Sequence, residues 1–287
     1  MLSVSEQCRI LGLPRSVYYE KRSGSASDEH REEEAERKAV HDSQCDRVLE
    51  EWTDHSSYGY IKMSHHMLRN GQEWATEYRI RTIYKELGLK GQTPVFITTK
   101  SAKGKVAKYP YLLRNRKIHY VNEVWATDIT YIKIGGCMVY FTAIIDLFSR
   151  KILSWRLSRT MDVLFCLDAL MEAVVRYGVP AIFNTDAGSQ YTSVEFTSYL
   201  NSLGVLISMD GIGRCKDNIF VERTWRTLKY EWVFLRDYQD YDQLERGLQE
   251  FVDFFNHERI HQGLDYQTPD EVYEQGTFPK IKENEVA

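Results

Sequence analysis

The stretch VWATDITYIKI, residues 124 to 134, is apolar on both of its alternating faces, which suits a strand covered by other layers from above and below. Two further strand-like runs follow, MVYFTAIID (138–146) and KILSWRL (151–157), with Gly135-Gly136 marking a turn before the first of them. Antiparallel hairpin neighbours are therefore expected. The pattern then changes to alternating helices and strands. A helix is predicted from about Asp162 to Tyr177, with Val163, Leu167, Leu170, Met171 and Val174 on one stripe, ending at Gly178 and Pro180. The short strand AIFNT (181–185) comes next. Thr192 and Glu195 then read as a capping box for a helix through Phe196, Leu200 and Leu203 that stops at Gly204. VLISM (205–209) is a fifth strand. Helices from about Asp217 to Leu235 and from Tyr241 to Phe255, the latter with Leu244, Leu248, Phe251 and Phe255 in register, close an α/β domain.

Three carboxylates stand out against this pattern. Asp128 lies in the middle of the first strand, on the same face as Ala126, Thr130 and Ile132, where an ionised group would cost several kcal/mol unless a cation or donors met it. Asp186 directly follows a short strand and opens the loop AGSQY, at the carboxyl end of a strand where sites of α/β sheets generally lie. Glu222 falls on a helix at the rim of a stripe formed by Val221, Trp225, Leu228, Trp232 and Leu235, with Arg226 and Lys229 within about 60° of it. Its plainer use is a surface pair with Arg226. The last two acids are separated by 222 − 186 − 1 = 35 residues. Hard oxygen donors of this kind suit Mg²⁺.

The upstream half reads as helical and basic. Residues 1–22 hold a short amphipathic pattern (Cys8, Ile10, Leu11, Leu13), followed by the linker-like SGSAS, and residues 28–52 read as a charged surface helix with a narrow seam of Ala35, Val40, Val48, Leu49 and Trp52. Tyr60–Leu68 and Thr76–Leu87 form two short helical patterns joined by a turn at Asn70 and Gly71, a helix-turn-helix arrangement. The second of these carries Arg79, Arg81 and Lys85 outward from Tyr78, Ile80, Ile83, Tyr84 and Leu87, and could present them to a major groove; a plain helical hairpin fits the pattern equally. The net charge is −4, yet no acid occurs between Glu86 and Glu123, where eight cations lie, Lys103, Lys105 and Arg114 among them. Such a block can neutralise phosphates. No apolar run approaches a bilayer span and no signal peptide is evident, so a soluble cytoplasmic protein without membrane partners is expected. The five cysteines form no CxxC pair and read as reduced thiols rather than a disulfide framework or zinc ribbon.

WATDITYI, YFTAIIDLFSR, NTDAGSQYTS, SMDGIGRCKDNIFVERTWRTLKYE and FFNHERIHQGLDYQTPDEVY together resemble the successive signatures of DDE transposases of the insertion-sequence three (IS-three) family, second-frame products related to retroviral integrases. The resemblance runs from about residue 1 to 275. It implies an RNase H-like core with a five-stranded mixed sheet flanked by helices, preceded by a helix-turn-helix-like DNA-binding region. The implied organisation is an N-terminal helical region (1–52), a helix-turn-helix-like segment (53–95), a basic linker (96–118), a catalytic core (119–240) and a C-terminal helix and tail (241–287). It further implies that Asp128, Asp186 and Glu222 are a catalytic triad holding two Mg²⁺ ions (or Mn²⁺) roughly 3.5 to 4 Å apart, with Asp128 bridging. Lys229 matches a basic position near the scissile DNA, and Arg226 and the cations named above are expected DNA contacts.

The implied activity is cleavage of DNA strands and their transfer at insertion-sequence ends. The partners are then the terminal inverted repeats, target DNA, an upstream-frame protein joined by frameshifting, and further copies of the chain in the active complex. The chain departs from many members in having NTD rather than HSD before the loop, Ala187 after it, and ER rather than ES at the glutamate. Two other readings remain. A catalytically inactive DNA-binding remnant or regulator would keep the fold without chemistry. HERIH (257–261) matches the HExxH pattern of zinc proteases, but Gly263 follows at once and no later histidine exists to complete the site.

Overall fold

The computed structural model describes residues 3–16, 28–91, 109–210 and 219–276. The chain divides into two compact units, Met1–Gly91 and Gln92–Ala287. The expected segments 1–52 and 53–95 fall largely in the first, and 96–118, 119–240 and 241–287 in the second. Lys103, Lys105 and the SGSAS linker lie outside the described residues.

In the first unit, α1 (Val4–Ile10) is followed by the long helix α2 (Asp28–Asp54), then α3 (Tyr60–Arg69) and α4 (Glu77–Glu86). Gly71 takes φ +80° at the turn between α3 and α4, a conformation open to glycine. Ser64 Oγ donates to the Ala75 carbonyl across that turn (2.6 Å), and Thr76 caps α4 by accepting from the Arg79 N–H. Val48 of α2 packs with Met63, Met67, Ile80, Ile83 and Tyr84 in one small core. Two members of the expected apolar face of α4 are not in it. Tyr78 is 82% exposed and Leu87 38%, because the three-residue core seam of a ten-residue helix is already filled by Ile80, Ile83 and Tyr84.

The second unit is a five-stranded mixed sheet between helical layers, in the order β3-β2-β1-β4-β5. Strands β1 (Val124–Ile134), β2 (Cys137–Asp146) and β3 (Ile152–Ser158) form an antiparallel meander. Gly135 and Gly136, at φ +52° and +83°, close the first hairpin as a two-residue turn whose twist matches that of the strands. Strands β4 (Ile182–Thr185) and β5 (Leu206–Met209) add on in parallel, β4 directly beside β1.

Both faces of β1 are covered over its first half, as its sequence demanded, whereas Tyr131 and Lys133 further along are exposed on one face. Val124, Ala126 and Ile132 pack with Val221, Trp225 and Leu228 and with Leu244, Leu248 and Phe251 of α8 (Tyr241–Asp253). Trp125 faces the other way, towards α5 (Leu164–Tyr177) and α6 (Val194–Ser202). The segment after β5 resumes as α7 (Ile219–Thr227), passes into a π-turn at Leu228–Trp232 and ends in a 3₁₀ turn at Val233–Leu235. The expected uninterrupted stripe is therefore broken. The extra residue of the π-turn rotates the remainder of the helix, leaving Leu235 46% exposed. A short helix, α9 (Pro269–Gln275), with a Thr268/Glu271 capping box, ends the described chain.

Two local expectations are corrected. The stripe of α5 that meets the sheet is Phe165, Cys166, Ala169, Leu170 and Ala173, whereas Met171 is 44% exposed. Small side chains let the helix approach the sheet closely, which a search for bulky apolar residues overlooks. Ser193, not Thr192, caps α6 by accepting from the Phe196 N–H, while Thr192 Oγ1 donates to the Gly188 carbonyl. Among the described residues, no helix is long and apolar enough to cross a membrane.

Because α5 is seated through its alanines, Ala173→Leu is expected to overpack the interface and destabilise the protein by about 1–3 kcal/mol. A urea unfolding curve checks this, and an unchanged midpoint would contradict the close seating.

Candidate active site

The parallel pairing of β1 with β4 couples Val124 to Ile182, Trp125 to Phe183 and Ala126 to Asn184, and goes no further. The offset is 184 − 126 = 58, and 186 − 128 is also 58. By this count Asp128 and Asp186 lie equally far, two residues, past the last paired rung, and the charge of Asp186 is felt at Asp128. Asp128 continues along β1, paired only with Ala143 of β2, while the chain after Thr185 turns away into a loop. The ladder thus ends at the carboxyl ends of the two strands, the part of an α/β sheet where sites generally lie.

Burial, reinforced by the negative charge of Asp186, raises the Asp128 carboxyl to about 7. The indole N–H of Trp225 opposes this by donating to Asp128 Oδ2 at 3.1 Å. Asp186 is exposed and folds back on its own loop, its Oδ1 accepting from the Gly188 N–H at 2.9 Å. A Cβ on Gly188 would come within 2.7 Å of that oxygen, so a side chain there would push the Asp186 carboxylate aside.

Glu222 lies in the first described turn of α7, one turn before Trp225, and partial burial raises its carboxyl. Lys229 lies two turns further on, within the π-turn. Its ammonium sits over the Tyr131 ring (4.6 Å to the centroid), and the charge of Asp128 partly offsets the lowering that burial imposes on it. Trp225 and Lys229 both reach the surroundings of Asp128, whereas Glu222, on the same helix, is exposed and neither aspartate contributes to its shift. The three carboxylates do not close into one tight set. Among the described residues, the groups of three ligand atoms lying within 4.8 Å of one another are His41, Cys45 and Glu86, and Glu51, His55 and His66. Both are in the first unit.

Asp210 was missed in the sequence. It follows β5 as Asp186 follows β4, adds to the rise of the Asp128 carboxyl, and accepts from Asn184 Nδ2 at 2.9 Å. Its place at a parallel strand's carboxyl end was the available signal. Trp225 reads as core in the sequence and is core, yet its polar edge holds the buried acid.

The expected DNA contacts separate into distinct environments. Arg226, Arg81 and Lys85 are exposed, as is Arg114. Arg79 is not displayed outward: it donates to Gln44 Oε1 and to His41 Nδ1, both at 2.8 Å, because α2 packs over that side of α4. HERIH does not form a metal-binding helix. His257 sits in a π-turn and pairs with Asp270, while His261 is buried in extended backbone and packs edge-on against Phe255.

A family described as Integrase core domain matches residues 119–215, and a second of the same description matches 203–269. The chain is 27% identical over 288 residues to the transposase for insertion sequence element IS629 of Shigella sonnei, covering 99% of this chain and 95% of that one. It is 30% identical over 185 residues to an uncharacterized transposase-like protein of Haemophilus influenzae, covering 63% and 85%. In fold it is similar to the simian T-cell lymphotropic virus intasome structure in complex with PP2A regulatory subunit B56 gamma, at a TM-score of 0.52 and 19% identity, over 80% of this chain and 76% of that one.

The raised Asp128 carboxyl makes a signed prediction. Between about 4, its range in an unfolded chain, and about 7, the folded state holds a proton that the unfolded state releases, so stability falls as pH rises through that window. With divalent cations chelated, Asp128→Asn is expected to be more stable than the parent at pH 8 by about 2–4 kcal/mol, with the gap closing by pH 4. Urea titrations at both pH values test it, and equal stability at pH 8 would refute the burial.

Proposed function

Since the chain belongs to the integrase-core family of DDE transposases, we propose that Asp128, Asp186 and Glu222 are the groups with which it cleaves DNA strands and transfers them at insertion-sequence ends. The observation that carries this reading is the register that sets Asp128 beside Asp186 past the end of the β1/β4 ladder, with the charge of one raising the carboxyl of the other. Two carboxylates so placed, one of them half-buried, favour a hard divalent cation over continued proximity to each other. All the donors are oxygens, which fits Mg²⁺, with Mn²⁺ as a substitute and two ions as the full complement. Asp128 would serve both ions, and Asp186 and Glu222 one each. Bound there, the ions supply Lewis-acid activation of a water or 3′-hydroxyl and stabilise the leaving oxygen.

The protein's own residues do the positioning. The Trp225 N–H fixes one oxygen of Asp128, and the Gly188 N–H fixes one of Asp186, so neither carboxylate must search for its orientation. Lys229, beside Asp128 and over Tyr131, offers a cation to a non-bridging phosphate oxygen. Arg226, one turn after Glu222, continues that basic edge along the helix. In the first unit, Arg81 and Lys85 remain exposed on α4 for a duplex. Joining two DNA ends requires at least two copies of the chain, and the upstream-frame protein is assigned as a fusion partner.

Asp186→Asn is expected to retain binding to duplexes carrying the element ends while Mg²⁺-dependent strand cleavage drops to background. Gly188→Ala, which displaces Asp186 without removing it, is expected to lower cleavage by roughly 10–100-fold. Gel shift and cleavage of end-labelled duplexes separate the two effects. Full cleavage by Asp186→Asn would remove the proposed site, and absence of cleavage by the unaltered chain, with or without its upstream partner, would favour a DNA-binding remnant instead.

A further inference from the structure

Round α7 from Glu222, a cavity of about 340 Å³ is lined by Arg150, Arg223, Arg226 and Arg259, with Glu231 the one acid among its described lining residues. Glu231 is already engaged, accepting from both Nε and Nη2 of Arg259 at 2.8 Å. The lining thus carries four guanidinium charges against one carboxylate.

Arg150 is the least expected of these. It holds a left-handed backbone (φ +65°) at the turn from β2 to β3, where an L side chain is rarely found and a glycine would fit more easily. Its guanidinium lies over the Phe220 ring (5.2 Å) and donates to the Gly263 carbonyl at 3.2 Å. A Cβ on Gly263 would meet that guanidinium at 2.5 Å, so the facing loop is cut back to admit it. Burial lowers the pKa of Arg150, and so do the charges of Arg223 and Arg259, which marks the three as mutually repelling neighbours. Like charges held this close are stabilised by an anion, and guanidinium forks match the oxygens of a phosphate.

We infer that this pocket receives a backbone phosphate of the DNA, gripped by Arg150 and Arg223. The inference rests on the function proposed above and extends it to a second point of contact. One helix supplies both places: at 100° per residue, Arg226 is turned about 40° from Glu222 and Arg223 about 100°. A strand lying along the carboxylate edge therefore passes the mouth of the cavity as it crosses α7, with Arg226 at the boundary.

Inorganic phosphate is the first probe, compared with chloride at equal ionic strength on the full chain. Phosphate is expected to raise the Tm of the parent and of Asp128→Asn, and to lose that effect in Arg150→Gln and Arg223→Gln. Arg223 is exposed, so its variant remains informative if Arg150→Gln fails to fold. Binding of an end duplex as a function of salt is the second probe: in Arg223→Gln the slope of log K against log salt is expected to shrink by about 0.9, the loss of one phosphate contact. A phosphate response that survives in both arginine variants, or a response lost with the DNA slope unchanged, overturns the assignment. Full cleavage by Asp186→Asn beside an intact phosphate response would instead remove the proposed catalytic site and leave the pocket standing.

Discussion

Holding a carboxyl group in the middle of a strand that packs into the core is the constraint on which the second unit is built. The strand must be central, because only layers on either side supply the burial that lifts Asp128 to about 7. Its neighbour must also let go at that level, so that the chain after Thr185 can turn and hold a second carboxylate whose charge reaches the first. The β1/β4 pairing meets both needs by running for three rungs, buried throughout, and then stopping. Trp225 completes the arrangement from the helical layer by filling the core with its ring and meeting Asp128 with its N–H.

Much of this was legible. The alternation in 124–134, the glycine pair after it and the spacing of later apolar runs gave the five strands and the helices between them, because period and turn chemistry are local properties. The isolation of Asp128 among apolar neighbours was equally local. The features that escaped depended on partners distant in sequence. The face of α5 was misjudged because Cys166, Ala169 and Ala173 are chosen for closeness to the sheet and not for bulk. The π-turn at 228–232 leaves no mark in composition, yet it decides which later residues face inward. Asp210 carried a local signal at the end of a predicted strand, but its tie to the site needed the β4/β5 pairing to be read.

The first unit shows how easily a cluster of ligating side chains is accounted for without a metal. His41 Nδ1 accepts from Arg79, which leaves the proton on Nε2 to face the Glu86 carboxylate at 3.0 Å. Glu51 is shared between Arg47 and His66. These contacts bind α2 to α3 and α4, and Arg79 belongs to that fabric, whereas Arg81 and Lys85 on the same helix point into solvent. Charge on a helix thus divides by neighbour, and sequence spacing alone cannot tell the two uses apart.

The shared offset of 58 along β1 and β4 also sets what kinds of change this protein can absorb over generations. Side chains alternate between the two faces of a strand, so one residue gained or lost within 182–185 would send the carboxylate of the following loop to the opposite side of the sheet. The same insertion in the surface turn at 178–180 leaves the strand's phase intact. Length variation among descendants of this chain should therefore gather in the connections, while the four residues of β4 keep their count even where their identities drift.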